Sequence, residues 1–397
     1  MNVIYVGFYY PDGMIEELLK LNSVVDFPGY TFQGALLSGL DEYYPDMKVI
    51  SSAYMSAYPK NKKVCFKRQY FSHKGDGKKK DVFTGLLNLP VIKEISKFLR
   101  IRKELRKSIV KGDENVVICY ETHTPFLLAI ASLRKKLSKT CLIVPDLPDF
   151  MTGRKTWWYL WAKKIDKKFI DFAMKSFDCF ALFSPHMKER LRIDYKPWVQ
   201  LEGIYKESAN IGEVEKETFK TILYTGNLGE RTGIRDLLDA FQMIKSPDYR
   251  LWIRGNGEEM KQEILRRQKE DKRIVYYEPM SKEDVLKLQR RASVLVNPIR
   301  PSELQTRYFF PSKTMEYLAS GTPTIMYKLD CLPEDYYQHV YFVEEESAKS
   351  LRDKLVEICE KDNSKLGAFG QSAREFILND KNPVKQAGKI YELLSSI

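Results

Sequence analysis

Short runs of β-branched and aromatic residues alternate with helical patterns along most of the chain, and this alternation limits the fold more than any other feature. Parallel strands need a crossover connection, which usually contains a helix, so the alternation is typical of parallel sheets. The first half has five runs that predict strands, at Asn2–Phe8, Lys48–Ala53, Val116–Tyr120, Cys141–Val144 and Cys179–Phe183.

The same pattern starts again after a pause marked by Pro197, Gly203 and Gly212. Further runs predict strands at Thr221–Thr225, Arg250–Arg254, Arg273–Tyr276, Ser293–Asn297 and Thr324–Met326. We therefore predict an α/β protein of two doubly wound, Rossmann-like domains over residues 1–200 and 201–380, with a C-terminal helix in residues 381–397. Two such sheets facing across a cleft would offer ligand sites at the carboxyl ends of both sets of strands.

Positive charge is concentrated in the first half of the chain. Residues 1–200 hold 34 of the 65 lysines and arginines but only 21 of the 53 acidic residues, so their net charge is +13 and that of the remainder is −1. A one-sided basic surface indicates an extended anionic partner: nucleic acid, anionic lipid or a phosphate-bearing substrate. The alternative is a basic surface that only keeps the protein soluble.

The hydrophobic stretches, the N-terminal segment and the cysteines indicate the cellular compartment. No stretch approaches 18 uncharged apolar residues, and the N-terminal MNVIYVGFYY lacks the basic flank of a signal peptide. The six cysteines show no CxxC spacing. We therefore expect a cytosolic protein with reduced thiols and without a disulfide framework or a zinc site.

The segment FPSKTMEYLASGTPTI predicts an anion site at a helix start. Pro311 precedes the helix, Ser312 is the predicted N-cap, and Lys313 adds a charge beside the first backbone amides. Glu316 lies one turn deeper, where a carboxylate can accept two hydrogen bonds from a ribose diol. The alternative is an imperfect capping box, since Glu316 is one residue beyond its usual place.

Two further strand ends carry glycines. In LYTGNLGERTG, Gly226, Asn227 and Gly229 follow a strand, and Arg231 offers charge for a diphosphate. In LWIRGNGEEM, Arg254 stands beside two more glycines. The first loop is not the G-x-G-x-x-G fingerprint, so it is informative only together with the other elements.

With VLVNPI, these three segments occur in an order that resembles the donor domain of retaining GT-B glycosyltransferases of family 4, over about residues 220–330. The first half is similar more loosely, through VVICYETHTPFLLAIASL, LIVPDLPDF and ALFSPHMKERL. The resemblance implies sugar transfer from a nucleotide-diphosphate sugar to an acceptor hydroxyl, with retention and without metal or other cofactor. It also implies that the C-terminal helix crosses back to the first domain.

Residue by residue, the resemblance assigns ribose binding to Glu316 and diphosphate binding to the turn at Pro311, Ser312 and Lys313. Tyr308 stands where many members have a glutamate that contacts the donor sugar. Asn227 and Thr232 replace an arginine and a lysine of the glycine loop, and Arg231 is placed to substitute. These departures resemble a subgroup with GN-G loops that acts in surface-polysaccharide assembly.

Polar residues follow two predicted strands of the first half. Glu121 and His123 end one strand and Asp146 ends the next, so all three are expected at one edge of the sheet as catalytic candidates. A carboxylate there can stabilise a cationic transition state or take the acceptor proton. The alternatives are a helix N-cap for Asp146 and a hydrogen-bonded structural role for His123.

The segment Gly153–Lys175 has the composition of an interfacial helix, in which aromatic rings sit at the headgroup level and lysines meet anionic lipid. The alternative is an ordinary amphipathic helix packed on the domain. A basic, glycine-containing segment, Lys60–Asp81, is predicted to be a long exposed loop, and its part from Lys62 to Lys80 is expected to assist membrane binding. The residues expected to face the membrane are Trp157, Trp158, Trp161, Lys163, Lys164, Lys167 and Lys168.

Together these features predict a cytoplasmic glycosyltransferase, peripheral at the inner face of the cell membrane, acting on a lipid-linked or other saccharide acceptor and not on nucleic acid. Two alternatives stay open. One is a nucleotide-sugar 2-epimerase of the same fold, and the other is a non-catalytic basic protein that binds membrane or nucleic acid. The sequence leaves open the donor base and sugar, the acceptor, the linkage and the oligomeric state.

Overall fold

The computed structural model describes residues 1–150, 157–207, 211–212 and 214–397. The chain forms two compact units. Unit 1 comprises Met1–Ile204 together with Pro383–Ile397, and unit 2 comprises Tyr205–Asn382. The C-terminal segment therefore belongs to the N-terminal unit.

Unit 1 is built on an eight-stranded sheet. Its strand order is β10-β9-β8-β7-β1-β2-β5-β4, and every neighbouring pair is parallel except β4 with β5. A separate antiparallel pair joins β3 and β6. The strands are β1 (Asn2–Gly7), β2 (Lys48–Ser51), β3 (Cys65–Phe66), β4 (Gln69–Phe71), β5 (Asp81–Phe83), β6 (Leu86–Leu87), β7 (Asn115–Tyr120), β8 (Lys139–Val144), β9 (Cys179–Leu182) and β10 (Trp198–Gln200).

Helices cover both faces of this sheet. Strand order runs one way from β1 to β2 and the other way from β7 to β9, so right-handed crossovers place α2 on one face and α4 and α5 on the other. The C-terminal α13 packs on α2, while α3 and α5 both pack against α4. The helices of unit 1 are α1 (Met14–Lys20), α2 (Phe27–Tyr43), α3 (Ile92–Ser108), α4 (Thr124–Ala131), α5 (Trp157–Met174), α6 (Met187–Leu191) and α13 (Pro383–Ser395).

Unit 2 is built on a six-stranded, fully parallel sheet with the order β13-β12-β11-β14-β15-β16. Its strands are β11 (Lys220–Asn227), β12 (Tyr249–Asn256), β13 (Ile274–Tyr277), β14 (Val294–Asn297), β15 (Thr324–Tyr327) and β16 (Tyr341–Val343). Its helices are α7 (Ile234–Gln242), α8 (Glu258–Glu270), α9 (Lys282–Arg291), α10 (Ser312–Ala319), α11 (Ala348–Cys359) and α12 (Asn363–Asp380). The predicted α/β architecture of two doubly wound sheets is confirmed.

Each sheet has a point where the strand order reverses, and ligands of open α/β sheets bind at such points. In unit 1 the order reverses between β1 and β7, and in unit 2 between β11 and β14. The predicted catalytic residues Glu121 and His123 follow β7 directly, and Gly226 lies near the end of β11. Both groups of candidates therefore lie at a reversal point.

The segment Lys60–Asp81 is largely exposed, as predicted, but the prediction that it is a loop throughout is wrong. Phe66 and Phe71 are buried, and strands β3 and β4 pair with β6 and β5. Asp81 is buried and accepts hydrogen bonds from Val49 N (2.8 Å) and His73 N (2.7 Å). The lysines between these apolar residues concealed the strand pattern.

None of the helices in the described part of the chain is both long and apolar enough to cross a membrane.

Candidate functional site

In unit 2 two neighbouring strand ends carry no side chain where they meet. Gly226 of β11 pairs in register with Gly255 of β12. A Cβ on Gly226 would overlap the Lys313 ammonium group, and one on Gly255 would overlap the Gly226 carbonyl oxygen. Glycine is therefore required at both positions for backbone and ammonium group to lie this close.

Helix α10 begins at Ser312, so the prediction of Ser312 as the N-cap is wrong. The N-cap is Pro311, and it makes no side-chain capping bond. The amides of Ser312 and Thr314 donate to the carbonyls of Phe310 (2.9 Å) and Pro311 (2.8 Å). Two of the first amides are therefore already used, which leaves the Lys313 side chain as one candidate group for an anion at this helix start.

Lys313 is a desolvated cation. Its Nζ lies 3.4 Å from the Tyr224 hydroxyl and 5.2 Å from the centre of the Tyr224 ring. Burial, with a smaller contribution from Arg254, lowers the pKa of Lys313 to about 8, while Glu316 acts in the opposite direction. Among the described residues Lys313 makes no ion pair within 4 Å, so its charge is available to a phosphate.

Glu316 lies one turn into α10, and its carboxylate is held by a neighbouring helix. Oε1 accepts a hydrogen bond of 2.6 Å from Nε2 of Gln289 on α9. The same Nε2 donates to Oγ1 of Thr225 (3.2 Å). Thr225 lies on β11, so this network links Glu316 to the strand that carries Gly226.

Several buried polar atoms near these residues have no partner among the described residues. They are Arg254 Nε at the end of β12, Gln289 Oε1 on α9 and Asn297 Oδ1 at the end of β14. A buried polar group without a hydrogen bond costs about 1–3 kcal/mol, so each such group favours a partner such as a ligand or a water molecule. Their grouping around α10 makes this strand edge a candidate binding site.

The other predicted donor residues lie at the end of β11 or in the connections that follow β11 and β14. Arg231 is exposed in a 3-10 turn, Glu230–Thr232, and the loop before it is tied to α8 by Glu230 N donating to Glu259 Oε2 (3.0 Å). Tyr308 is half-buried and lies between β14 and α10, on the chain segment that leads to Pro311. Asn227 accepts at its carbonyl a 2.7 Å bond from the Tyr224 hydroxyl, and Gly229 lies two residues further on.

In unit 1, Glu121 has an unusual backbone and a raised pKa. Its φ of 74° is in the left-handed region, which a non-glycine residue adopts at a cost and mostly at functional positions. Burial, followed by the carboxylates of Asp26 and Asp146, raises the pKa of Glu121 to about 7. Burial and Asp26 also raise the pKa of Asp146. The structure thus brings Glu121 and Asp146 into one acidic group.

His123 precedes α4 and belongs to a different group. Its Nε2 lies 3.2 Å from Glu94 Oε2 and 3.4 Å from Lys97 Nζ, both on α3. Burial and Lys97 lower the pKa of His123 to about 4, so its imidazole is neutral at pH 7. Burial also lowers the pKa of Lys97 to about 8. Lys97 and Glu94 were missed because only the tertiary structure brings α3 to the end of β7.

The segment predicted to face a membrane is mostly helix. Residues 153–156 and the Trp158 side chain lie outside the described residues, and α5 begins at Trp157. Trp157 and Trp161 are exposed, Lys164 and Lys168 are exposed between the aromatic residues, and Lys163 is half-buried. Lys164 and Lys168 follow Trp161 by three and seven residues and share its exposed, outward face. Lys167 is exposed and pairs with Asp149 at 2.8 Å.

No group of three or more His, Cys, Asp or Glu side chains within the described ranges is arranged to hold a metal ion. All six cysteines are free thiols, and five of them are buried.

Comparison with known proteins gives a family match in unit 2. Residues 219–361 match the family described as Glycosyl transferases group 1. No curated protein matches the chain.

Solved structures match over the whole length. Sucrose-phosphate synthase from Thermosynechococcus elongatus is 15% identical with a TM-score of 0.61, and the match covers 100% of both chains. Trehalose-6-phosphate synthase OtsA is 10% identical with a TM-score of 0.65, covering 99% of each chain. A point mutant of TarM from S. aureus, solved with UDP, is 11% identical with a TM-score of 0.57, covering 99% of this chain and 100% of its own. The chain has the GT-B fold. Within this GT-B chain, the matched family segment contains all the predicted donor residues from Gly226 to Glu316.

Proposed function

We propose that this protein transfers a sugar from a nucleotide-diphosphate sugar to an acceptor hydroxyl, with retention of the anomeric configuration. The observation that carries the proposal is the joint position of Lys313 over Gly226 with Glu316 one turn away, in a segment that matches Glycosyl transferases group 1. One cation without an ion pair among the described residues and one oriented carboxylate, separated by a helical turn, fit a diphosphate and a ribose.

On the donor side, each residue has a distinct role in the proposal. Lys313 neutralises the diphosphate, and Arg254 and Arg231 add charge as the leaving group gains it. The bare strand ends at Gly226 and Gly255 let the phosphates approach the backbone. Because these cations supply the charge that a metal ion supplies elsewhere, the proposed transfer needs no metal and no other cofactor.

On the acceptor side, Glu121 and Asp146 are the proposed catalytic carboxylates. A group with a pKa of about 7 is well matched to accept a proton from a hydroxyl at neutral pH. His123 is neutral at that pH and suits hydrogen bonding to the acceptor better than charge stabilisation.

The proposed acceptor is a lipid-linked saccharide in cell-surface polysaccharide or glycolipid assembly. Two features of unit 1 support it: the net charge of +13 in residues 1–200, and the exposed Trp157 and Trp161 on α5 beside Lys164 and Lys168. The proposed location is cytoplasmic and peripheral, at the inner face of the cell membrane.

A donor panel tests the enzyme proposal. Purified protein is incubated with UDP-, GDP-, ADP- and dTDP-sugars, with and without a saccharide acceptor, and release of the nucleoside diphosphate is measured. We expect release with one donor class, increased by acceptor, and an NMR spectrum of the product with the anomeric configuration of the donor. Conversion of the donor sugar to its epimer would support the 2-epimerase instead. Absence of turnover and binding with every donor would contradict the proposal.

A further inference from the structure

Two helices of unit 1 expose large apolar side chains in the same layer. On α5, Trp157 is 81% exposed, Phe172 64% and Trp161 63%. At the start of α3 and along it, Val91 is 76% exposed and Leu99 55%. Both helices pack against α4. A soluble protein seldom exposes so many large apolar side chains together unless they meet a partner.

The apolar stripe of α3 points away from the domain. Ile95 and Leu99 are one turn apart and lie opposite the buried Lys97, Ile101 and Leu105 on the helical wheel. Val91 precedes them with a φ of 63°, a conformation that is rare for a β-branched residue. The stripe is therefore not an edge of the core but a separate outward face.

Basic side chains lie among these apolar ones. Arg102 and the exposed Arg106 continue the α3 stripe toward its C-terminus, and Lys164 and Lys168 lie between the aromatic residues of α5. Asp171 is the exposed acidic exception on α5. Apolar side chains that insert, with cations at the level of the headgroups, match an anionic bilayer better than an apolar protein partner.

We propose that α3 and α5 form one two-helix surface that lies on an anionic bilayer, with Val91, Ile92, Ile95 and Leu99 as its second contact. A unit held by α5 alone is free to roll about that helix axis. A second contact, on the other side of α4, prevents this rotation. It therefore determines how the sheet edge that carries Glu121 is oriented relative to the bilayer. This proposal rests on the proposed function only in assuming that the acceptor is lipid-linked. Its test measures vesicle binding rather than sugar transfer.

Vesicle cosedimentation of the full chain tests the surface. The vesicles contain equal parts of phosphatidylglycerol and phosphatidylcholine, and binding is compared at low and high salt. The variant Ile95→Ser/Leu99→Ser is expected to bind about tenfold more weakly at both salt concentrations, because apolar insertion is insensitive to screening. The matched control Val110→Ser/Val384→Ser changes two exposed valines elsewhere in unit 1 and should bind like the wild type.

Three results would overturn this surface. The first is an α3 variant that binds as tightly as the wild type, and the second is a wild type that binds no anionic vesicles. The third is loss of a dimer, seen by sedimentation, on the same substitutions, because a second copy of the chain would then occupy the surface. Sugar transfer to a soluble acceptor analogue is measured in parallel. Its absence with intact vesicle binding would contradict the proposed function and leave the surface standing.

Unit 2 carries an independent second inference, on Gln289. Its side chain is fully buried, and its backbone carbonyl accepts a 2.9 Å bond from Thr322 Oγ1. Its Nε2 donates to Glu316 and to Thr225, and Thr225 in turn donates its amide to the Tyr317 hydroxyl (2.8 Å). Only the amide nitrogen can donate to a carboxylate, so this contact fixes which way the Gln289 amide faces.

We infer that Gln289 is a positioning residue that orients Glu316 for a ribose, an inference that rests on the proposed donor site. Gln289→Leu keeps the size of the side chain and removes the donor. It should weaken binding of a ribonucleoside diphosphate about tenfold and leave binding of the 2′,3′-dideoxy analogue unchanged. In a Glu316→Ala background the same substitution should have no further effect.

Calorimetry with both nucleotides separates the possible failures. Equal losses for the two nucleotides would mean that Gln289 only supports the fold, which overturns this inference alone. A wild type that does not distinguish the two nucleotides would mean that Glu316 meets no ribose, and the donor-site proposal would fall with it.

Discussion

At the scale of single residues, the protein places its charged groups where burial changes their chemistry. The half-buried Lys313 and the buried Lys97 are cations whose pKa values fall to about 8, while Glu121 is a carboxyl whose pKa rises to about 7. Each lies at or beside the carboxyl edge of a sheet. Shifts of this kind are concentrated at functional sites, although structural ion-pair networks also produce them.

Glu316→Ala should weaken nucleotide binding without unfolding the protein. The substitution removes hydrogen bonds between a charged group and two ribose hydroxyls, worth about 1.5–3 kcal/mol, or roughly 10- to 150-fold in affinity. Calorimetry measures the affinity and circular dichroism the fold, with the exposed Glu344→Ala as control. Unchanged affinity in a folded Glu316→Ala protein would contradict the ribose assignment.

His73 provides a pH-dependent test of unit 1. Its Nδ1 lies 2.6 Å from Asp81 Oδ2 and its Nε2 3.0 Å from Asp41 Oδ1, and these carboxylates overcome burial to raise the pKa of His73 to about 9. The folded pKa exceeds the unfolded value of about 6.5, so the stabilisation is complete below pH 6.5 and is lost as pH rises through 9.

The interactions of protonated His73 with Asp41 and Asp81 should contribute about 3 kcal/mol to the free energy of unfolding at pH 6. Urea unfolding of wild type and His73→Gln at pH 6, 7.5 and 9.5 should therefore show a stability difference that shrinks as the pH rises. A difference that is constant over this range would mean that His73 is neutral in the folded protein.

At the scale of elements, glycine is required at one position and lowers stability at another. Gly226 lies under Lys313 at the end of β11, while Gly367 lies within α12 with open space around it. The first glycine is required by a close approach, and the second only adds backbone entropy to the unfolded chain.

Gly226→Ala should displace the Lys313 ammonium group and lower donor affinity at least about tenfold. Gly367→Ala should raise the free energy of unfolding by about 0.5–1 kcal/mol and leave donor affinity unchanged. Denaturant unfolding and calorimetry measure the two quantities. Donor binding that tolerates Gly226→Ala would show that Lys313 does not need its present position.

Reversing charge on the outward face of α5 should release the protein from anionic vesicles at low salt. Each lysine near an anionic surface contributes about 1 kcal/mol, so Lys164→Glu/Lys168→Glu should weaken binding by more than about tenfold. Lys135→Glu/Lys136→Glu, a matched pair of exposed lysines in unit 1, changes net charge equally. If both variants lose binding equally, the total charge of the protein, and not the outward face of α5, determines vesicle binding.

At the scale of the whole molecule, two mainly parallel sheets each place polar residues at a point of strand reversal. Ligand sites arise there because the crossover helices leave toward opposite faces and open a crevice above the strand ends. Lys313 and Glu316 belong to unit 2, and Glu121 and Asp146 to unit 1. The proposed donor and acceptor chemistry is therefore divided between the two units.

Turnover should be fully retained in EDTA, since Lys313, Arg254 and Arg231 are proposed to carry the charge of the diphosphate. The correct donor at 100 times its Kd should also stabilise the folded protein by about 2.7 kcal/mol, visible as a raised Tm. Activity abolished by the chelator and restored by Mg²⁺ would show that the diphosphate site is wrongly assigned.

The alternation of strands and helices, the glycine-bearing strand ends and the position of Glu316 within a helix could all be predicted from the sequence. These features depend on interactions within a few residues, so periodicity, glycine and proline record them locally. Gly226, Lys313 and Glu316 lie far apart in the chain, and it was the resemblance to the donor domain of GT-B glycosyltransferases that grouped them as one candidate site.

Only the tertiary structure decided which distant residues meet. Gln289 contacts Glu316 from 27 positions away, and Lys97 reaches His123 from 26. The outward face of α3 and the pairing of the short strands within Lys60–Asp81 were likewise decided by packing. Strand order determines which helix lies beside which strand end, and strand order depends on contacts across the whole domain rather than on any local pattern.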